Sequence, residues 1–169
     1  MNRVIYTKFH HFLKDKKVNL EKRWEFFISE NPEWTERKLG FTPLIIKNGW
    51  AVIYIPKEDK EEPEFAYTIG LFYNYNHPEL MMIGAHLSAK EYQAVLNAFG
   101  TLIKKGDKVE AGKDYKEVIE MKDQKLVFKK ATKEVLGKYP FGYGGAFYTN
   151  FTDTDKNPPI LYIDFTSGQ

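Results

Sequence analysis

The chain contains no cysteine. That excludes a disulfide framework, a thiolate nucleophile and every zinc site built on thiolates. Serine is scarce as well. Ser29, Ser88 and Ser167 are the whole set, and none stands in a Gly-x-Ser-x-Gly elbow of the kind that presents a hydrolase nucleophile. The histidines, His10, His11, His77 and His86, form no His-Glu-x-x-His or His-x-His pattern, so no metal site is expected and no cofactor is implied. Long apolar runs are missing too. Stretches such as Trp50-Ala-Val-Ile-Tyr-Ile55 fall far short of the roughly 20 residues needed to cross a bilayer. The N-terminal Met1-Asn-Arg-Val-Ile-Tyr-Thr-Lys8 lacks the continuous apolar stretch of a signal peptide. A cytoplasmic location, without a membrane partner, is therefore the expectation.

What is present suits a folded domain. The length of 169 residues fits one domain of ordinary size. Aromatic side chains make up 16% of the chain, enough to fill a core with rings, although each buried Tyr or Trp must find a partner for its polar tip. The net charge of +2 is too small to mark a nucleic-acid binder, but its distribution is uneven. Residues 1–23 hold Arg3, Lys8, Lys14, Lys16, Lys17, Lys22 and Arg23 against Asp15 and Glu21. Residues 58–64 hold Glu58, Asp59, Glu61, Glu62 and Glu64 against Lys60. Each run reads either as a solvated segment or as a docking surface for an oppositely charged partner.

Local signals place the elements. Asn19 is a candidate N-cap, and Leu20, Trp24, Phe27 and Ile28 give a helical stripe, predicting a helix over about 19–30 that stops before Pro32. Trp50–Ile55, Phe65–Tyr73 and Leu80–Gly84 read as strands, with 58–64 as a hairpin loop and 74–78 as a turn. Gly70 inside the second strand marks a bulge or a close approach. Ser88-Ala-Lys-Glu91 is a capping box, and Tyr92, Val95, Leu96, Phe99, Leu102 and Ile103 form one apolar face ahead of Gly106. A helix over about 89–105 follows. Tyr115–Met121 and Lys125–Lys130 suggest a hairpin about Lys122–Gln124, Thr132–Lys138 a short helix, and Ala146–Phe151 and Ile160–Phe165 two last strands. The fold class is α+β: a mostly antiparallel sheet of five to seven strands with one long helix packed on it. Residues 1–45 read as a basic extension carrying the first helix, packed on the same single domain as 46–169.

Gly49-Trp50, Phe65-Ala-Tyr-Thr-Ile-Gly-Leu71, His77-Pro-Glu-Leu80 and Gly84, followed by a helix ending at Gly106, resemble a bacterial family of uncharacterised proteins, domain of unknown function 4262. The resemblance covers about 48–130 and, loosely, the last strand. Members often end in a Trp-Pro segment, where this chain has Asp164-Phe-Thr166. The resemblance implies no activity, so function rests on the residues themselves.

The first candidate site is Tyr67, Thr68, Gly70, His77 and Glu79. Alternation puts Ala66, Thr68 and Gly70 on a small-residue face with room for a ligand or a packed helix, and an imidazole beside a carboxylate suits a general base. The same residues also suit a purely structural role, with Glu79 capping backbone amides and Pro78 shaping the turn. Three functions stay open. One is a non-catalytic module for a protein partner of the immunity or antidote type, with Glu58, Asp59, Glu61 and Glu62 as its surface. A second is a small enzyme or small-molecule binder near Tyr67, Thr68, His77 and Glu79. The third is a nucleic-acid binder through Lys14–Lys17 with Tyr6, Phe9, His10 and Phe12 interleaved.

Overall fold

The computed structural model describes residues 11–15, 17–34, 38–58, 61–121, 124–152 and 157–166. The basic arm before residue 11, Lys16, Asp59, Lys60 and most of the expected turn at Lys122–Gln124 lie outside them. The chain forms two compact units, Met1–Asn48 with Phe141–Asn157, and Gly49–Pro140 with Pro158–Gln169.

In the first unit, α1 (Leu20–Glu30) begins as the sequence predicts: the Lys22 amide donates to Asn19 Oδ1 at 2.9 Å. A 3-10 turn (Pro32–Trp34) and α2 (Thr42–Asn48) follow. Trp24 and Phe27 of α1 are buried against Phe151. Phe151 ends a helix of residues 142–151, where the sequence suggested a strand over Ala146–Phe151. Gly144, Phe147, Tyr148 and Phe151 are its buried residues, spaced i, i+3, i+4 and i+7. That spacing is a helical stripe, and it outweighs the strand preference of the individual aromatics.

The second unit holds one sheet. Its strands are β1 (Ala51–Ile55), β2 (Phe65–Ile69), β3 (Glu79–Ile83), β4 (Lys129–Lys130) and β5 (Ile160–Asp164), in the order β1-β2-β3-β5-β4. All pairs are antiparallel except β3–β5. The α+β class and the mostly antiparallel sheet stand. Three expected strand limits do not. The second strand ends at Ile69, because Gly70 takes φ +115° and starts a short helix, α3 (Leu71–Tyr75). An L residue there would be strained, so the glycine is what lets the chain swing out of the sheet. Among the described residues, Tyr115–Met121 forms no strand: Asp114 makes a single bridge to Val127, and 116–118 is a turn. The strand expected at Lys125–Lys130 shrinks to its last two residues.

Helix α4 (Ala89–Lys104) covers one sheet face. Its capping box is complete, with Glu91 N donating to Ser88 Oγ and Ser88 N donating to Glu91 Oε2. Those bonds hold the Glu91 carboxyl below its ordinary pKa. Tyr92, Leu96 and Phe99 pack with Ala66, Leu80, Met82, Leu161 and Ile163. Each fully buried large side chain contributes about 1.5–3 kcal/mol. The face of Ala66, Thr68 and Gly70, which the sequence left to either a ligand or a helix, is buried by the chain. Two further short helices are α5 (Lys133–Lys138), capped by Thr132, and, in the first unit, α6 (Gly142–Phe151) described above.

Gly100 of α4 lies beneath the Trp50 indole, whose Nε1 donates to Asn97 Oδ1 at 2.9 Å. A Cβ at Gly100 would stand 2.6 Å from Trp50 Cζ2. Alanine ordinarily gains about 1 kcal/mol over glycine inside a helix, whereas overpacking costs about 1–3 kcal/mol. Gly100→Ala should therefore destabilise by up to about 2 kcal/mol net. A thermal melt checks the sign, and a raised midpoint would contradict the close packing.

Candidate functional site

Glu79 opens β3 and is fully buried. Its backbone amide donates to Pro159 O at 2.9 Å, which fixes the side chain at the end of the sheet. Oε2 accepts the Thr68 hydroxyl at 2.6 Å. Oε1 accepts the amides of Gly70 at 2.7 Å and Phe72 at 3.2 Å. Thr68 Oγ1 in turn accepts the Leu80 amide at 2.9 Å, just past the last β2–β3 pair, Tyr67 with Met81. The carboxylate thus bridges the end of β2 to the first turn of α3, where helix amides have no partner within the helix. Buried acceptors of this strength demand such donors.

Tyr67, Thr68, Gly70, His77 and Glu79 all come out buried. Thr68, Gly70 and Glu79 meet in one hydrogen-bonded cluster. Tyr67 is fully buried with its ring stacked on Phe65 at 6.1 Å. His77 forms a separate connection. Its Nε2 accepts the Val109 amide at 3.0 Å, so Nδ1 carries the proton and donates to Pro78 O at 2.7 Å. Both ring nitrogens are engaged with backbone, and the imidazole ties the loop after α4 to the turn before β3. The Tyr115 hydroxyl steadies the same loop, accepting the Glu110 amide at 2.7 Å and donating to Lys108 O at 3.3 Å. A cavity of about 300 Å³ borders His77, Tyr75, Asn76, Pro78, Asp107 and Val109. Burial holds the Tyr75 phenol above its ordinary pKa. Of the candidate residues, only His77 lines that cavity.

A second polar cluster escaped the sequence reading. Glu64 belongs by composition to the acidic run, yet it is buried. Its Oε1 accepts the Tyr92 hydroxyl at 3.0 Å and the His86 amide at 2.7 Å. His86 is backward-turned at φ +55°, and its exposed ring places Nδ1 4.0 Å from the same oxygen. The Tyr92 hydroxyl also accepts the Ala85 amide at 2.8 Å. Burial, reinforced by the Glu64 charge, holds that phenol far above its ordinary pKa. The signal available in sequence was position: Glu64 directly abuts the apolar strand Phe65–Ile69, where a solvated acid is out of place.

The remaining acids behave as a surface. Glu58, Glu61 and Glu62 are exposed, and Asp59 lies outside the described residues. Among the described residues, no group of three or more His, Asp or Glu could hold a metal ion, and no helix is long and apolar enough to cross a membrane. In the first unit, a cavity of about 470 Å³ is bordered by Lys38, Gly142, Tyr143, Ala146, Thr149 and Asn150.

No curated protein and no solved structure matches the chain. A family model does match, over residues 44–154. It starts a few residues ahead of the Gly49-Trp50 signature and runs through α6, leaving β5 outside. That span is more than half of the chain, and the chain belongs to the family described as Domain of unknown function (DUF4262).

Proposed function

We propose that this chain is a non-catalytic module of the bacterial cytoplasm that docks onto a basic partner protein, in the manner of an immunity or antidote protein, through Glu58, Glu61 and Glu62. One observation carries the reading: the acid–base candidates Glu79 and His77 are spent on the fold. Both Glu79 oxygens accept protein donors, and both His77 nitrogens are bonded to backbone. A general base needs an atom within reach of a substrate proton, and these atoms already have internal partners. The exposed acids, by contrast, can steer and hold a cationic surface. The cavity beside His77 favours small-molecule binding as a second reading, with the imidazole as wall rather than as base.

The test is a capture from native lysate at moderate salt. A stoichiometric basic protein should be recovered and should dissociate as salt rises. The triple variant Glu58→Lys, Glu61→Lys, Glu62→Lys should weaken capture by about tenfold or more, because like charges then face each other. Capture indifferent to the triple variant, or no stoichiometric protein at all, would sink the reading.

A further inference from the structure

The two edges of the sheet are built differently. The edge strand β4 is two residues long, and both Lys129 and Lys130 are exposed. Short, lysine-bearing edges are how proteins prevent unwanted strand pairing. The opposite edge, β1, has none of these devices. Its sequence is Ala-Val-Ile-Tyr-Ile, without a charge or a proline. Val52, Ile53, Tyr54 and Ile55 are each part-exposed, whereas every residue of β2 and β3 is buried.

The direction of the β1 backbone groups follows from one hydrogen bond. Gly84 N donates to Glu64 O at 2.8 Å, so the Glu64 peptide groups face β3. Backbone groups alternate sides along a strand, which turns those of Phe65, Tyr67 and Ile69 toward β1. Their register partners are Ile55, Ile53 and Ala51. Val52 and Tyr54 therefore aim their N–H and C=O groups away from β2. Among the described residues nothing pairs with them. Their side chains meanwhile pack on the core, which holds the edge in place. Directly beyond the end of β1 come the exposed Glu58, Glu61 and Glu62.

We propose that β1 is a strand-addition site: an extended segment of the partner protein, bearing lysine or arginine, pairs with Val52 and Tyr54 while its cations meet Glu58, Glu61 and Glu62. This rests on the acidic surface being the docking surface. It adds the shape of what docks. Main-chain pairing supplies the affinity in such additions, and the acids select a cationic segment over others.

The probe is an acetylated, amidated heptapeptide of alternating valine and threonine with lysine at both ends. A copy N-methylated at alternate residues, on the edge that faces β1, serves as the control. Amide exchange of Val52 and Tyr54 is followed by NMR. The plain peptide should slow both amides at least about tenfold, and the methylated copy should not. Val52→Pro removes an outward N–H that the β1–β2 ladder does not use, a substitution edge strands tolerate, and it should weaken the plain peptide about tenfold. Equal binding of the methylated peptide, or failure of the plain peptide to bind, overturns the proposal. Peptide binding that disappears in the triple lysine variant yet leaves Val52 and Tyr54 exchange unchanged overturns strand addition while the acidic docking surface stands. Slowed exchange without peptide, accompanied by dimer in sedimentation, assigns the edge to a second copy of this chain and overturns it as well.

Discussion

Glu79→Ala should lower stability by about 4 kcal/mol, a melting shift of roughly 8–16 °C for a chain of this size. The substitution removes the acceptor for the Thr68 hydroxyl and for the Gly70 and Phe72 amides together. All three donors lie at the buried end of β2 and the start of α3, where water does not substitute freely. Glu79→Gln should cost less, about 2 kcal/mol, since one oxygen remains to accept the two amides. Its amide group then faces the Thr68 hydroxyl, which must give up its own acceptor. Thr68→Val severs two bonds at once, the one given to Glu79 and the one taken from Leu80. Groups in one hydrogen-bond network couple by about 0.5–3 kcal/mol, so the double variant should fall well short of the sum of the singles. Melts of the parent, Glu79→Ala, Thr68→Val and their double variant test this. A Glu79→Ala protein within about 0.5 kcal/mol of the parent would mean that the carboxylate does not hold the fold.

The second large effect is expected in the other unit. Arg23 is buried in α1, and its Nη1 donates to Leu13 O at 3.0 Å and to Phe151 O at 2.9 Å. Phe151 closes α6, so its carbonyl is among those a helix cannot satisfy internally, and a cation there complements the helix dipole. Burial lowers the guanidinium pKa, an effect the Asp15 charge partly offsets. Replacing a buried charge by an apolar side chain is often harmless when its partners go too. Here the partners are backbone and stay. Arg23→Met keeps most of the volume but strands two carbonyls, so a loss of about 3 kcal/mol is expected. Lysine should rescue only in part: its ammonium can donate to both carbonyls, as Nη1 does, but its side chain is one bond shorter. Urea denaturation followed by tryptophan fluorescence measures it, with Trp24 buried beside the site. Unchanged stability in the Met variant would remove Arg23 from the account.

The sequence was most readable where several local signals agreed. In α4 the capping box, the apolar stripe and the closing Gly106 all pointed to one helix, and its ends were placed within a residue or two. The core of β1, β2 and β3 was legible for a similar reason: short apolar runs bounded by glycine and proline. Two of the misread strands share one cause, which is that aromatic residues favour strands in isolation. Phe72 and Tyr73 looked like a continued strand, but the backbone turn at Gly70 and the Glu79 carboxylate waiting for the Phe72 amide make a helix there instead. Phe147, Tyr148 and Phe151 were misread likewise, although their spacing already carried the helical period. At the candidate site, the sequence could bring Thr68, Gly70 and Glu79 together across a turn. It could not show which way a carboxylate faces, and the difference between a base and a cap is that orientation. Arg23 was counted only as one charge of a basic arm, since nothing local distinguishes a buried guanidinium from a solvated one.

The parallel pairing of β3 with β5 has a consequence for biosynthesis. β3 is flanked on one side by β2, its near neighbour in the chain, and on the other by a strand that begins only at Ile160. At ordinary translation speeds, on the order of several seconds pass between the emergence of the two. Through that interval the apolar edge of β3 at Leu80–Ile83 lacks its β5 partner. The nascent chain is therefore most vulnerable to mispairing before its last strand leaves the ribosome. Substitutions that slow the docking of β5 would be felt first as lost yield, ahead of any change in the finished protein.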